Sequence, residues 1–444
     1  MFSEKVGFDY ILENLDIVSK LGKKYLKLIE FSKNKVLLEK EYDNQEYVGD
    51  LIARKPRLYV ELKKKLGAIR DISIIVERLR SGYVLDDVEL FEVKIFSMIS
   101  QEIYNILYEE SKELAPQNLE KVIDMLDPDK LRIASFHIYS SYSKELSEVR
   151  KKIKETKNEE LYEIETQLED DVRKVISRKL GNYSLVLKSS IKRLGYLDYI
   201  LAKVKQIEEL GLVRPKLDKI TEIYGMFNPK VKNILKYQNK IYQEVDVKLH
   251  EGVTIITGAN MSGKTLTLKT IGLVQSMAQK GFFVPAKNAK IKIMDDIYMS
   301  VGDSQSIDDG LSSFAAEMLE IDRIIKKVKI GLKPLVLIDE LARTTNPQEG
   351  RALLKSVISI LKRYKIESLI TTHYDRVGDD VRRLRVVGIK KELLKECTTY
   401  QNIEDYIDYS LIEVNDDTVP EEALTIAKLL KIDEEIVEKA YKYL

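Results

Sequence analysis

The segment that most constrains the fold of this chain is GANMSGKT, residues 258 to 265. It follows the apolar run VTII and precedes LTLKTIGLV, in which apolar residues recur at helical spacing. A phosphate-binding P-loop requires this order of strand, loop and helix, because its glycines let successive N–H groups point inward and the helix adds the positive end of its dipole. A chance glycine–lysine turn would not come with that strand and helix. The segment therefore predicts an α/β domain that cradles the phosphates of a nucleotide.

Each residue type in this loop has a predicted task in binding ATP and Mg²⁺. Gly258 and Gly263 let the backbone curl, Lys264 reaches the β- and γ-phosphates, and the Thr265 hydroxyl is a ligand of Mg²⁺. The other loop residues are expected to contact the phosphates as part of the cradle: Ala259, Asn260, Met261 and Ser262.

Two carboxylates end a second apolar run about 75 residues later. Residues 335 to 340 read LVLIDE, a buried strand with acids at its C-terminal end, where α/β sheets bind ligands. We predict that Asp339 holds the magnesium, directly or through water, and that Glu340 orients and polarises the attacking water. Consecutive strand residues face opposite sides, so the strand must end here for both to serve one site. The alternative is a pair of solvent-facing acids at a strand end.

A third apolar run, IESLITT at 366–372, leads into His373. A histidine at this position can donate a hydrogen bond to the γ-phosphate and so report hydrolysis. Such a residue alone is more often a structural histidine. Its place at a strand end in a P-loop domain favours the sensing role.

The distribution of residue types along the chain predicts a multidomain protein. Up to about residue 235 the sequence is rich in Leu, Ile, Lys and Glu at helical spacing, which predicts an all-α core. From about Val245 short β-rich runs alternate with helical stretches, which predicts an α/β P-loop domain. Residues 141–180 are highly charged with sparse apolar positions, and they predict a projecting helical coiled-coil arm. With ten basic and ten acidic residues, this arm shows no net charge that would mark it as gripping phosphates.

The bulk composition argues against several classes of function. The formal net charge is +1, so no overall field attracts nucleic acid or an anionic membrane, although a basic stripe can be hidden in a balanced total. The single cysteine, Cys397, rules out an internal disulfide framework. The three histidines lack metal-ligand spacing. The acidic start and the lack of a long apolar run predict a cytoplasmic protein with no membrane span.

Five motifs, in order, resemble those of the MutS family of ATPases. TGANMSGKTLTLKTIGL is similar to the family's TGPNMxGKSTxLR segment, and KGFFVPA at 280–286 is similar to its G-x-x-VPA run. DSQSIDDGLSSF at 303–314 resembles the signature loop that ends in STF, and the DE and THY elements match residues 339–340 and 372–374. The N-terminal half resembles the family's helical core, lever and clamp less specifically.

The resemblance implies a domain order, a dimer and a shortened chain. It implies a helical core at 1–115, a lever and clamp arm at 116–195, a returning core segment at 196–235 and an ATPase domain at 236–444. It also implies a homodimer, or a heterodimer with a similar subunit, in which Ser312 contacts the nucleotide of the opposite subunit. Taken alone, LSSF equally fits a helix N-cap followed by a core phenylalanine. The family's mismatch-recognition domain and small MutS-related nuclease domain are expected to be absent.

The sequence departs from the family pattern in two loops. Ala259 replaces a proline of the P-loop, and Ala342 and Thr344 replace glycines of the G-x-G-T turn that usually follows the acid pair. If those positions need positive φ, the new side chains alter the loop between the two ATP sites. Arg343 is then a phosphate or interface residue, or a surface ion-pair partner.

Two functions remain open at this point. The first, which we favour, is an ATP-dependent clamp on mismatched or branched DNA in repair or recombination. The second is an ATP-driven remodelling or reactivating chaperone of a protein partner, such as a cobalamin-dependent aminomutase, without DNA. A fold does not fix the substrate. A basic surface on the arms favours DNA, and an apolar patch favours a protein.

Overall fold

The computed structural model describes residues 6–156, 158–259, 262–301, 313–378, 380–389, 407–415, 424, 427–428 and 432–443. The helices of these residues are α1 Phe8–Glu13, α2 Lys20–Leu26, α3 Lys35–Arg54, α4 Pro56–Ala68, α5 Ser73–Arg80, α6 Asp87–Leu107, α7 Glu120–Leu126, α8 Lys144–Thr156, α9 Glu160–Gly181, α10 Ser184–Leu210, α11 Pro229–Tyr237, α12 Lys264–Gln279, α13 Ser313–Lys329, α14 Pro347–Arg363 and α15 Glu434–Tyr443. The part of the chain that the structure describes has no helix long and apolar enough to cross a membrane.

The strands of the same residues form two sheets. They are β1 Lys216–Asp218, β2 Glu222–Met226, β3 Val245–Lys248, β4 Val253–Thr257, β5 Asn288–Lys292, β6 Ile297–Val301, β7 Leu335–Asp339, β8 Ser368–Thr371, β9 Arg382–Ile389 and β10 Ile407–Glu413. The four strands β1, β5, β2 and β3 lie side by side in that order. The described strands of the larger sheet follow the order β10, β9, β4, β8, β7, β6.

Residues 216–226 were expected to be helical, and they form β1 and β2 instead. The strand β2 pairs antiparallel with both β3 and β5, and β1 pairs parallel with β5. These partners lie well downstream in the chain, so a local helical pattern does not predict the pairing. Long-range pairing overrides local preference here, as it commonly does in sheets.

The chain divides into two compact units. The α/β unit comprises Met1–Asn14, Glu30–Asp43 and Gln206–Leu444, and the helical unit comprises Leu15–Ile29 and Asn44–Lys205. A multidomain protein with helices and mixed sheets is therefore confirmed. The four sequence domains proposed above divide the chain more finely and stay a prediction.

Buried ionic groups connect distant segments within the helical unit. The Asp198 carboxylate accepts hydrogen bonds from the Ser19 backbone N–H (2.7 Å) and hydroxyl (2.6 Å), and Lys63 Nζ lies 3.3 Å away. Lys94 Nζ lies 3.2 Å from an Asp127 carboxylate oxygen, and neither side chain is exposed. Burial of charge is tolerated when the charges are paired in this way, because removing one partner leaves the other desolvated.

The charged stretch of the predicted arm contains two consecutive helices, α8 and α9. The Arg150 guanidinium on α8 lies 2.7 Å from a carboxylate oxygen of Glu165 and 2.6 Å from one of Glu169, both on α9. These charge-assisted bonds hold the two helices side by side. A coiled-coil arm with a clamp function stays a prediction.

The larger sheet of the α/β unit brings three loops to one edge. Its strands β9, β4, β8, β7 and β6 run parallel, with β10 antiparallel beside β9. Every residue of β4, β7 and β8 is buried, as expected for central strands covered on both faces. Thr371 pairs in register with Ile256 on one side and Asp339 on the other. The residues that follow β4, β7 and β8 therefore lie at the same carboxyl edge.

Candidate nucleotide-binding site

The loop after β4 has the close packing that its glycines predict. A Cβ at Gly258 would lie 2.8 Å from Ser262 Oγ, and one at Gly263, which has a φ of 80°, would lie 2.9 Å from the Tyr409 ring. Ser262 N–H donates to the Ala259 carbonyl at 3.2 Å, which closes the described part of the loop. Asn260 and Met261, which were predicted to contact phosphate, lie outside the described residues.

Lys264 begins α12 and directs its ammonium back into the loop. The side chain is buried, and Nζ donates to the carbonyl oxygens of Gly258 and Ala259 at 2.8 Å each. Burial lowers the pKa of Lys264, with the Glu340 and Asp339 carboxylates opposing that shift. The ammonium thus lies at the end of the strand, within the curve of the loop, where a phosphate would be bound.

The two residues predicted to hold magnesium are in direct contact. Thr265 Oγ1 donates to Asp339 Oδ2 at 2.7 Å, and Thr371 Oγ1 donates to Asp339 Oδ1 at 2.6 Å. A hydroxyl and a carboxylate supply the oxygen ligands that Mg²⁺ prefers. Among the described residues no group of three or more His, Cys, Asp and Glu side chains is placed to hold a metal. Few protein ligands are expected for a Mg²⁺ ion that is held mainly by phosphates and water.

Glu340 follows the end of β7 in a left-handed conformation with a φ of 50°. Its backbone N–H donates to Thr371 Oγ1 at 3.0 Å, and its carboxylate lies 3.9 Å from Lys264 Nζ. Because the strand ends at Asp339, the alternation of faces ends there too, and both acids are close to Lys264. One threonine hydroxyl therefore orients both members of the acid pair.

His373 follows β8 at the same edge. Partial desolvation lowers its pKa; the Glu340 carboxylate opposes this shift, and the Lys264 and Arg343 charges reinforce it. Its ring lies 4.2 Å, centroid to centroid, from the ring of Tyr374. A neutral imidazole at neutral pH still carries one N–H donor. The structure thus brings together the residues predicted for chemistry: Lys264, Thr265, Asp339, Glu340 and His373.

Comparisons with known proteins identify the family. Residues 254–444 match the model of MutS domain V. Over 99% of its length the chain is 27% identical to a protein of Caldanaerobacter subterraneus named Endonuclease MutS2. Residues 254–444 belong to the family of MutS domain V. Proteins of the same name in Ligilactobacillus salivarius and Streptococcus pneumoniae are 38% and 35% identical over 45% and 52% of the chain. The chain spans 55%, 25% and 28% of the lengths of these three relatives, in the order given.

The turn after the acid pair contains Ala342 and Thr344, two of the positions at which the sequence departs from the family pattern. Ala342 adopts a φ of 59°, so a residue with a side chain occupies a left-handed position. This conformation costs about 1–2 kcal/mol relative to an ordinary one. Thr344 does not lie in the left-handed region. An Arg343 guanidinium nitrogen lies 3.4 Å from a Glu340 carboxylate oxygen. Arg343 is thus an ion-pair partner of the predicted catalytic acid.

A cavity of about 280 Å³ opens beside the P-loop of the MutS domain. Tyr242 and Tyr409 supply aromatic walls, and Gly263 and Thr267 supply the side nearest the loop. The side-chain amide of Gln243 fixes this wall, since its Nε2 donates to Asp408 at 2.7 Å and its Oε1 accepts from Tyr409 N–H at 3.2 Å. Aromatic walls next to a phosphate loop suit a stacked purine base. Sequence reasoning missed this cavity, because nothing local links residues so distant in the chain.

Other residues that sequence reasoning missed lie behind the acid pair. Thr371 contacts both acids, as described, and Glu317 and Tyr374 contact the backbone of Ala342. Residues 303–312 of the predicted signature loop, which include Ser312, lie outside the described residues. Its contact with a second subunit stays a prediction.

Proposed function

We propose that this chain is a Mg²⁺-dependent ATPase that acts as a dimeric clamp on mismatched or branched DNA in the cytoplasm. One observation carries the ATPase part: the five residues predicted for binding and hydrolysis converge at one edge of one sheet. Mg²⁺, held by Thr265 and Asp339, would neutralise charge that develops on the transferred phosphoryl group. Steady-state ATP turnover in Mg²⁺ and in EDTA tests this part, and turnover that persists in EDTA would contradict it.

In this proposal each side chain has a separate task. Lys264 exchanges its bonds to loop carbonyls for bonds to the β- and γ-phosphates. Glu340 accepts a proton from the attacking water while that water is held in line with the γ-phosphate. His373 donates its N–H to the γ-phosphate oxygen. The adenine base stacks in the cavity between Tyr242 and Tyr409, which places the triphosphate along the loop.

The dimer and its shared site rest on the family resemblance. Ser312 would reach the nucleotide of the opposite subunit, whether that subunit is a copy of this chain or a similar protein. Analytical ultracentrifugation with and without ATP tests the assembly. A chain that hydrolyses ATP as a monomer at all concentrations would contradict the shared site.

A cluster of exposed lysines supports DNA as the substrate. Lys151, Lys152 and Lys154 are exposed within about one turn of α8, whereas the acidic residues of the charged stretch are concentrated on α9. On α8 five basic residues stand against three acidic ones, so the balanced total charge of this stretch includes a local excess of positive charge. Lysines spaced in this way can neutralise adjacent phosphates of a duplex. The names of the relatives, all endonucleases, are consistent with work on DNA.

The DNA part is tested by binding to linear, mismatched and four-way DNA at two salt concentrations, with and without ATP. Each lost phosphate contact lowers the slope of log K against log salt by about 0.9. The K151A/K152A double variant should therefore lower that slope by about 2. The K327A/K329A variant removes two exposed lysines from α13 instead and serves as the control.

Remodelling of a protein partner is the second candidate, and a groove in the helical unit favours it. The groove, of about 520 Å³, is lined chiefly by apolar side chains that include Tyr25, Leu28, Leu185 and Ile191. Apolar surface of this kind commonly contacts proteins. If no DNA bound in low salt with or without ATP, this candidate would replace the DNA clamp.

A further inference from the structure

The turn that follows Glu340 is held from two sides at the peptide groups of Ala342. The Ala342 N–H donates to Glu317 Oε2 at 3.0 Å, and the Ala342 carbonyl accepts from the Tyr374 hydroxyl at 3.0 Å. Space around the turn is also limited by α14: a Cβ at Gly350 would lie 2.4 Å from the Tyr374 hydroxyl oxygen and 3.0 Å from the Ala342 carbonyl oxygen. Three different elements therefore converge on one residue of the turn.

The backbone of this turn needs such support. Glu340 and Ala342 have φ values of 50° and 59°, in the left-handed region that residues other than glycine rarely adopt. Conformations of this kind persist only where the surrounding structure determines them. Between them lies a single residue, Leu341, which is buried. A rotation of the backbone at Ala342 would therefore displace Glu340, because only Leu341 separates the two residues.

The surroundings of Glu317 do not suggest a role in helix packing alone. Burial raises the pKa of Glu317, while the Ala342 N–H and the Arg343 charge oppose that shift. Within the described part of the chain its second oxygen, Oε1, is buried without a hydrogen-bond partner. A carboxyl group in this position costs desolvation that an apolar side chain of similar size would avoid. What the acid adds is an acceptor for the Ala342 amide.

We propose that Glu317 is a positioning residue for ATP hydrolysis. Its carboxylate holds the Ala342 amide, fixes the left-handed turn, and so directs the Glu340 carboxylate towards the nucleotide. The proposal rests on the proposed ATPase function, because the turn has this importance only if Glu340 orients the attacking water. Glu317 itself does not contact the nucleotide in this account.

Four variants test the proposal through kcat and the KM for ATP. The variant Glu317→Ala should lower kcat by about 10- to 100-fold, the range expected from a small misplacement of a catalytic group, with little change in KM. Glu317→Gln keeps an oxygen acceptor and should retain most of the parent kcat. Adding Ala342→Gly to Glu317→Ala should restore part of it, because glycine adopts positive φ without steric cost. Glu320→Ala, which removes an acid from the next turn of α13, is the control.

Hydrogen–deuterium exchange of the peptide covering 339–346 gives a second measurement, which does not depend on ATP turnover. Exchange at the Ala342 amide should be faster in Glu317→Ala and close to the parent rate in Glu317→Gln. Parent-like kcat and exchange in Glu317→Ala would overturn the proposal. So would a loss of kcat that Ala342→Gly leaves unrestored and that Glu317→Gln shares. A parent chain without ATP turnover would overturn the proposed function instead, and exchange would still decide whether Glu317 holds the turn.

Discussion

In the α/β unit, one group of buried polar side chains gathers at the carboxyl edge of the larger sheet, whereas the buried ionic groups of the helical unit join segments that are distant in the sequence. At the sheet edge, Thr371 contacts Asp339, which in turn contacts Thr265. In the helical unit, the buried Asp198 carboxylate accepts hydrogen bonds from the backbone N–H and the hydroxyl of Ser19, 179 residues away. At the sheet edge, charged groups can exchange their protein partners for a ligand. In the helical unit, the buried charges are paired with other groups of the protein.

Because of this difference, we expect substitutions at the sheet edge to affect chemistry and substitutions in the helical unit to affect folding. Lys264 is bonded to backbone carbonyls that a phosphate can replace. Lys94 is bonded to a buried carboxylate, a carbonyl and a tyrosine hydroxyl that have no other role evident in the structure. We therefore expect substitutions of these buried polar groups to affect the stability of the helical unit.

The largest effect is expected from Lys94→Met in the helical unit. The substitution leaves the unexposed Asp127 carboxylate without its cation, which should lower the free energy of unfolding by about 3–5 kcal/mol. Chemical denaturation measures this loss, and ATP affinity should stay at the parent value. The control is Lys65→Met, which breaks a partly exposed pair with Glu102 and should cost at most about 1 kcal/mol. A loss of ATP affinity in Lys94→Met would contradict the assignment of a purely structural role to Lys94.

A smaller effect is expected from Thr371→Val in the α/β unit. The valine keeps the volume but removes the hydroxyl that donates to Asp339 and accepts from the Glu340 N–H. The Glu340 N–H keeps its bond to the Thr371 carbonyl at 3.2 Å, so the Asp339 carboxylate oxygen is the group that loses its partner. Leaving that oxygen unpaired costs about 1–3 kcal/mol, which corresponds to a loss of roughly 5- to 150-fold in kcat if it falls on the transition state. The control Thr254→Val changes a buried residue of β4 two positions from the Ile256 partner of Thr371. Equal turnover in the two variants would contradict the role given to Thr371.

The smallest effect concerns the titration of His373. Its pKa is lowered in the nucleotide-free protein, so the imidazole C2–H resonance should titrate below the ordinary value of about 6.5. Because the fold favours the neutral imidazole, protonation of His373 lowers the free energy of unfolding as the pH falls through that range. At higher pH the imidazole is neutral in both states and this loss disappears. Added ATP brings negative charge and should raise the midpoint. Loss of the resonance in His373→Gln gives the assignment, and a nucleotide-free midpoint at or above 6.5 would contradict the account.

Within the α/β unit, the sequence predicted local backbone geometry well where a short motif determines it. The glycines at 258 and 263, the strand that ends at Asp339, and the positive φ at Ala342 each follow from local steric rules. The contacts of Glu317 and Tyr374 with Ala342 join residues that are 25 and 32 positions apart. Such contacts depend on how α13, α14 and β8 pack, and no local pattern encodes that packing.

The helical unit was predicted in class but not in detail. Helical spacing correctly indicated that this unit is helical, yet the buried pair of Lys94 and Asp127 looks like two ordinary charged residues in the sequence. The expectation of helix as far as residue 235 was wrong over 216–226, because β1 and β2 depend on partners elsewhere in the chain. A charge pattern on a helix does not state which groups are buried until its neighbours are known.

We infer that the residues at the sheet edge form a site that hydrolyses ATP, and the variant Glu340→Gln is the sharpest test of this inference. Glutamine keeps the shape of the side chain but cannot accept a proton from water. We expect kcat to fall by about 10²- to 10⁴-fold while ATP affinity is retained, so that ATP stays bound and uncleaved. Glu320→Gln on α13 provides the matched control and should keep the parent rate. A Glu340→Gln variant that hydrolyses ATP as fast as the parent would contradict the assignment of the site.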